Sequence, residues 1–162
     1  MEKLDKEIIK LLTDDSRLTP GLIAQALSVS VEEVEKRIKK AEIDGAIVKY
    51  TALINDELYG EDNVEALIEV KVTPQRGHGF DRIAEEISAQ EEVVNLYLMS
   101  GAYDLAVIVR CKNLRAVSRF VSEKISTYDT VISTATHFIL KKYKIEGARL
   151  AGGAPERLSV QP

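Results

Sequence analysis

The chain has 162 residues, 45% of them hydrophobic and 30% charged, enough apolar sequence for the core of one ordinary domain or two small ones. A formal net charge of −4 means that no global positive field announces a nucleic-acid partner. The single cysteine, Cys111, excludes an internal disulfide and a thiolate metal cluster, and the lack of a signal-type N-terminus or long apolar run predicts a cytoplasmic protein with no membrane partner.

The first 50 residues predict three helices and a short strand. Leu4, Ile8, Leu11 and Leu12 recur at helical spacing, and "DDSR" then breaks the pattern. Thr19 is placed to cap a second, short helix, with Pro20 at its first position and Leu22, Ile23, Ala26 and Leu27 as its apolar stripe. Ser30 followed by Glu33 is a capping box, so a third helix starts at about Val31. Its buried stripe is Val31, Val34, Ile38 and Ala41, and Gly45 ends it. "AIVKY" predicts a strand. Two helices across a tight turn, followed by a strand, make a winged helix-turn-helix over residues 1–50. If double-stranded DNA is the partner, Lys36, Arg37, Lys39 and Lys40 hold phosphates or read guanine. Ser28 and Ser30 contact backbone near the turn, and Lys49 and Tyr50 do so from the wing. Against this, the third helix carries Glu32, Glu33, Glu35, Glu42 and Asp44, five acids to its four bases. Glu32–Lys36, Glu33–Arg37 and Glu35–Lys39 are favourable i,i+4 pairs, so a salt-laced surface helix accounts for the same charges.

Residues 51–63 are polar and predict a linker. From Val64 the periodicity changes to two, with Val64, Ala66, Ile68, Val70 and Val72 on one face of a strand. "TPQRGHG" is a loop, and Phe80, Ile83, Ala84 and Ile87 mark a helix. "VVNLYLM" and "YDLAVIVRC" are strands joined at Ser100-Gly101. Leu114, Val117, Val121 and Ile125 mark a helix capped by Asn113, and "VISTATHFILKKY" is a last strand. The order βαββαβ over 64–146 predicts a ferredoxin-like, α+β domain with both helices on one sheet face. Leu67, Ala106, Ile108, Phe138 and Leu140 make the opposite parity largely apolar, which predicts cover by a second subunit, or else by the linker or the tail. The tail, 147–162, is rich in Gly, Ala and Pro and is expected to be mobile, although "RLSV" could dock as a short strand.

No Ser/His/Asp set, Gly-rich phosphate loop or HExxH is present, so no catalytic residue and no cofactor is expected. His78 and His137 lack metal-ligand spacing; the first reads as a loop residue and the second as packed or hydrogen-bonded in a strand. The knot Ser100-Gly101-Ala102-Tyr103-Asp104 stands out. Gly101 would permit a tight hairpin with φ > 0 and expose N–H groups to a carboxylate. Asp104 could accept from an ammonium group, and Tyr103 could close an apolar wall. An amino acid fits that set. So does a plain turn whose Asp caps the loop and whose Tyr packs on a neighbour, and spacing leaves both open.

The run "LDKEIIKLLTDDSRLTPGLIAQALSVSVEEVEKRIKKAEIDGAIVKYTALIN", followed by a βαββαβ pattern containing "YLMSGAYDLAVIV" and "VISTATHFILKKYK", resembles the Lrp/AsnC (leucine-responsive, feast/famine) transcriptional regulators. The likeness covers about residues 2–146. It rests on Leu4-Asp5 opening the first helix, Arg37-Ile38 in the third, Gly45-Ala46-Ile47 leading to Tyr50, and Gly101-Ala102-Tyr103-Asp104 in the hairpin. The resemblance implies an N-terminal DNA-binding domain and a C-terminal domain for effector binding and oligomerisation. It further implies homodimers joined through their sheets, assembling to higher oligomers such as octamers. A small effector, commonly an amino acid, would sit near the hairpin, at Met99, Ser100, Gly101, Ala102, Tyr103 and Asp104, with Thr134 and Thr136 on the last strand. The chain departs from the family in opening its third helix with Val31-Glu32-Glu33. Two other readings compete: a relative of the sirohaem-type decarboxylases of this architecture, against which no His lies between Gly79 and Thr136, and a sensor module whose helix-turn-helix binds protein.

Overall fold

The structure, a computed structural model, describes residues 2–59, 63–74, 77 and 79–150. The chain forms two compact units that divide between Leu53 and Ile54, inside the segment expected to link two domains.

In the first unit, α1 (Lys3–Asp14), α2 (Pro20–Leu27) and α3 (Val31–Ile43) follow the capping and periodicity signals. Thr19 Oγ1 accepts from Leu22 N at 3.3 Å and Ser30 Oγ accepts from Glu33 N at 3.2 Å, each satisfying an otherwise orphan donor. The return half of the expected capping box at Ser30 is replaced, because the Glu33 carboxylate accepts from Arg37 Nε at 2.6 Å. Between α2 and α3, Ser28 adopts the left-handed conformation (φ +56°) and Val29 N donates to Ala24 O. Ile8, Leu12, Ile23, Ala24 and Val34 form the core. Leu22 and Val31, expected in the buried stripes, are 54% and 39% exposed, each in the first turn of its helix. Gly45 (φ +72°) reverses the chain, and Ile47 N donates to Ala41 O, which packs Ile47 on the core. The expected wing strand over 46–50 does not form. A strand needs a hydrogen-bonded neighbour, and no described strand pairs with this segment.

The second unit begins with a one-turn helix, α4 (Asp56–Tyr59), inside the expected linker. Then come β1 (Val64–Val72), α5 (Asp81–Ser88), β2 (Val93–Leu98), β3 (Leu105–Cys111), α6 (Leu114–Phe120) and β4 (Val131–Phe138). Asn113 Oδ1 caps α6 through Ala116 N at 2.9 Å, and the helix runs on as one π-helical turn over Val121–Ile125. The antiparallel sheet has the order β2-β3-β1-β4, as the split βαβ pattern requires. Ala66, Ile68, Val70, Leu105, Val107 and Val109 meet Ile83, Ile87, Val117, Phe120 and Ile125 in a second core.

Three expectations about this unit are corrected. Phe138 pairs with Ala66, so it shares the helix-covered parity rather than the outer one. The last strand stops at Phe138, and Leu140 lies beyond it at 94% exposure. The chain past Gly147 does not begin as a loose tail: β5 (Lys144–Ile145) and β6 (Ala148–Arg149) form a two-stranded hairpin around Glu146 and Gly147, both at positive φ. Residues 151–162, with "RLSV", lie outside the described residues, as do Arg76 and His78 of the β1–α5 loop.

By register, Leu67, Glu69, Ala106, Ile108, Tyr97, Ala135 and His137 share the face opposite the helices. Leu67 pairs with Ile108 at its centre, and His137 Nε2 lies 3.4 Å from Glu69 Oε1. At one end, buried Glu65 is held by Arg110 (2.6 Å) and by Lys142 Nζ (2.6 Å), which also reaches Asp56 at 3.1 Å. The segments before β1 and after β4 therefore cover that corner.

Candidate functional site

Two sets of residues carry the candidate chemistry, one in each unit. In the first, α2, the turn at Ser28–Ser30 and α3 present α3's outer face. Lys36, Lys39 and Lys40 stand exposed there beside Glu32 and Glu35, and Lys49 is exposed further on. None of these four lysines is within 4.0 Å of a carboxylate among the described residues, so the expected Glu32–Lys36 and Glu35–Lys39 pairs are open and the ammonium groups are available. Ser30 spends an acceptor lone pair on its cap and keeps its O–H to donate.

Arg37 is placed differently from its expected role. Its guanidinium turns inward to Asp5 Oδ1 (2.6 Å), Glu33 Oε1 (2.6 Å) and Glu2 Oε2 (3.0 Å), with its side chain 20% exposed. The three carboxylates raise the guanidinium's already high pKa, and Arg37, with the Glu2 backbone N–H, holds the Asp5 carboxyl below its usual range. Arg37 thus clasps α1 to α3 rather than facing a groove. Tyr50 is also engaged: its hydroxyl donates to Glu42 Oε1 at 2.9 Å, and partial burial with that carboxylate raises its pKa. A groove of about 610 Å³ between the end of α1 and residues 46–53, lined by Ile9, Leu12, Asp14, Arg17, Tyr50 and Leu53 among others, had no sequence signal because the Gly45 reversal creates it.

In the second unit the hairpin tip 99–104 joins β2 to β3. Met99, Ser100, Gly101 and Ala102 are exposed, while Tyr103 and Asp104 are half-buried. Gly101 does not adopt the positive φ expected of it, and a Cβ there would meet nothing within 4 Å, so the turn makes no demand for glycine. Asp104 does three things at once. Its carbonyl accepts from Met99 N (2.8 Å), its N–H donates to Val70 O (3.1 Å), and its Oδ2 accepts from Val72 N (2.9 Å). Thr134 sits across β1 from this point, on the rung Leu105–Val70–Thr134, and Thr136 lies on the next same-face rung beside Ile68. Both threonines are half-buried on the helix-covered parity. The structure thus brings the hairpin and Thr134 to one end of the sheet, with Thr136 a step further in. Among the described residues no group of three or more His, Cys, Asp or Glu could hold a metal ion, and no helix is long and apolar enough to cross a membrane.

The chain as a whole is similar to known transcriptional regulators. Residues 1–42 match the family model described as the AsnC-type helix-turn-helix domain, and residues 65–148 match the Lrp/AsnC ligand binding domain. The chain is 45% identical over 160 residues to the uncharacterized HTH-type transcriptional regulator YugG of Bacillus subtilis, covering 98% of this chain and 96% of that protein. It is 35% identical over 144 residues to an uncharacterized HTH-type transcriptional regulator of Pyrococcus abyssi, covering 89% and 95%. Among solved structures, a Neisseria meningitidis transcriptional regulator in complex with L-Met superposes with a TM-score of 0.70 at 23% identity, covering 90% of this chain and 93% of that one. Escherichia coli AsnC does so with a TM-score of 0.67 at 23% identity, covering 90% and 95%. These two likenesses establish the α+β fold, and the sequence matches establish the membership: the chain belongs to the Lrp/AsnC family of transcriptional regulators.

Proposed function

We propose that this regulator binds double-stranded DNA through the α3 face and answers to a small effector, an amino acid, held at the hairpin tip of the second unit. The observation that carries the reading is the joining, in one chain, of a capped helix-turn-helix with unpaired lysines and a ligand-binding unit whose hairpin tip stands exposed at the sheet end. Lys36, Lys39, Lys40 and Lys49 neutralise phosphates or read guanine, and Ser28 and Ser30 contact the backbone beside them. Arg37 and Tyr50 act behind this surface by fixing α3 to α1 and the 46–53 segment to α3's end. The effector contacts Met99, Ser100, Gly101, Ala102 and Tyr103, with Thr134 and Thr136 nearby. The L-Met bound to the Neisseria neighbour supports an amino acid as its class. Residues 1–50 are assigned to DNA, 64–146 to effector binding and assembly, and 51–63 to the link between them. A second copy covers the Leu67–Ile108 face, and effector binding biases the assembly and so the number of helix-turn-helix units engaging DNA together.

An electrophoretic shift on the protein's own upstream region, at low salt and with each proteinogenic L-amino acid in turn, tests this. The expected result is a shift whose midpoint moves with one amino acid. No shift on any genomic fragment at low salt would sink DNA binding, and a shift indifferent to every amino acid would sink the effector.

A further inference from the structure

We propose that Asp104 is a positioning residue of the effector site: it fixes the hairpin tip to the end of β1 as a hydrogen-bond acceptor, and its negative charge does not read the ligand. The proposal rests on the effector reading above and sharpens it. β1 outruns β3 at this end of the sheet. The last β1–β3 rung is Val70–Leu105, and Val72 has no partner residue on β3. Strand geometry alternates the direction of successive N–H groups. Val70 and Val72 face β3, whereas Thr73 N donates to the other side, to Thr130 O at 2.8 Å. On that other side the β1–β4 register also shifts, between Lys71 and Val72. The Val72 N–H therefore stands in a residue only 3% exposed, at the place where the ladder ends on one flank and slips on the other. Asp104 Oδ2, at 2.9 Å, supplies the rung that the sheet no longer provides.

The same residue closes the hairpin. Its carbonyl takes Met99 N and its N–H goes to Val70 O, so one residue binds the end of β2, the start of β3 and the end of β1. Neither the turn glycine nor a packed tip does this work, since Gly101 has an ordinary φ and open surroundings. The position of Ser100–Tyr103 over the sheet end, and with it any pocket they form near Thr134, follows from the Asp104 joint. What the joint requires is an oxygen acceptor aimed at Val72 N. An amide oxygen meets that requirement as well as a carboxylate does.

Asp104→Asn keeps an acceptor and removes the charge, whereas Asp104→Ala removes both. In the full chain, each proteinogenic L-amino acid is screened by thermal shift, and the strongest is titrated calorimetrically into wild type and both variants. Exchange of the Val72 amide is followed in parallel by NMR. The expected result is an Asn variant within about threefold of wild-type affinity with Val72 still protected. The Ala variant should bind at least about tenfold more weakly, with Val72 exchanging about tenfold faster. Loss of binding in the Asn variant overturns the proposal, whether or not Val72 stays protected. An Ala variant that binds like wild type, or leaves Val72 exchange unchanged, overturns it too. If Asp104→Ala does not fold, the Asn variant alone decides. If wild type binds no amino acid, the effector reading has failed separately, and the Val72 exchange rates still decide whether Asp104 is the joint.

Discussion

At the scale of single residues, the charged groups that matter most to the first unit are those hidden from the solvent face of α3. Arg37 joins residues 32 positions apart by reaching Asp5, and it makes its other two ionic contacts with Glu2 and Glu33. A carboxyl held below its usual range stabilises the fold above the unfolded-state value, and that contribution is lost as pH falls through the folded-state value. Asp5, held low first by Arg37 and then by the Glu2 backbone N–H, behaves in this way. Asp5→Asn should lower the melting temperature at neutral pH. The gap from wild type should narrow as pH falls below about 3.9 and the wild-type carboxylate takes up its proton. Melting curves of both proteins from pH 7 to pH 2.5, read by circular dichroism, check the sign, and a gap that widens toward acid would contradict the clasp.

At the scale of elements, α3 is divided lengthwise. Val34 and Ile38 hold it to the core side, Arg37 locks it to α1, and Lys36, Lys39 and Lys40 are left to solvent. The acids at Glu32 and Glu33 suit the positive helix end, and Glu33 also orients Arg37, so the acidic opening of this helix has a structural cause. Lys36→Ala and Lys39→Ala should each weaken DNA binding and reduce the slope of log affinity against log salt by about 1, the loss of one phosphate contact. Arg37→Ala should leave that slope unchanged while lowering the melting temperature. Anisotropy titrations across a salt series separate the two behaviours, and an Arg37→Ala slope reduced like that of the lysine variants would return Arg37 to the DNA surface. The ends of α2, α3 and α6 were legible in the sequence because Thr19, Ser30 and Asn113 act on donors three residues away. The wing strand was not legible as absent. "AIVKY" has the composition of a strand, and composition cannot report whether a neighbouring strand exists.

At the scale of the whole molecule, the face around Leu67 and Ile108 is the largest commitment. Its centre is apolar, its rim holds Glu69, His137 and the Glu65–Arg110 pair, and α5 and α6 pack on the opposite side of the sheet. If a second copy covers it, Ile108→Arg places an unpaired charge in a desiccated interface, at a cost of about 3–5 kcal/mol, or roughly a hundredfold or more in dimer dissociation. Light scattering behind a sizing column should then show a smaller particle with unchanged far-ultraviolet circular dichroism. An unchanged mass would remove this face from the assembly.

The sequence by itself determined the helix-turn-helix, the βαββαβ order of the second unit and the strand parity of β1 and β3. These follow from local periodicity and from caps that act over three or four residues. Tertiary structure alone decided where three groups went. Arg37 went to Asp5, Asp104 to Val72 N, and Phe138 to the helix-covered side of β4. The first two are hydrogen bonds across 32 residues of chain, and the third depends on a register shift between Lys71 and Val72. A one-residue slip changes every side chain's face, and a side chain's choice between solvent and a distant partner depends on which groups folding brings near it. Neither is written in the spacing of residues along the chain.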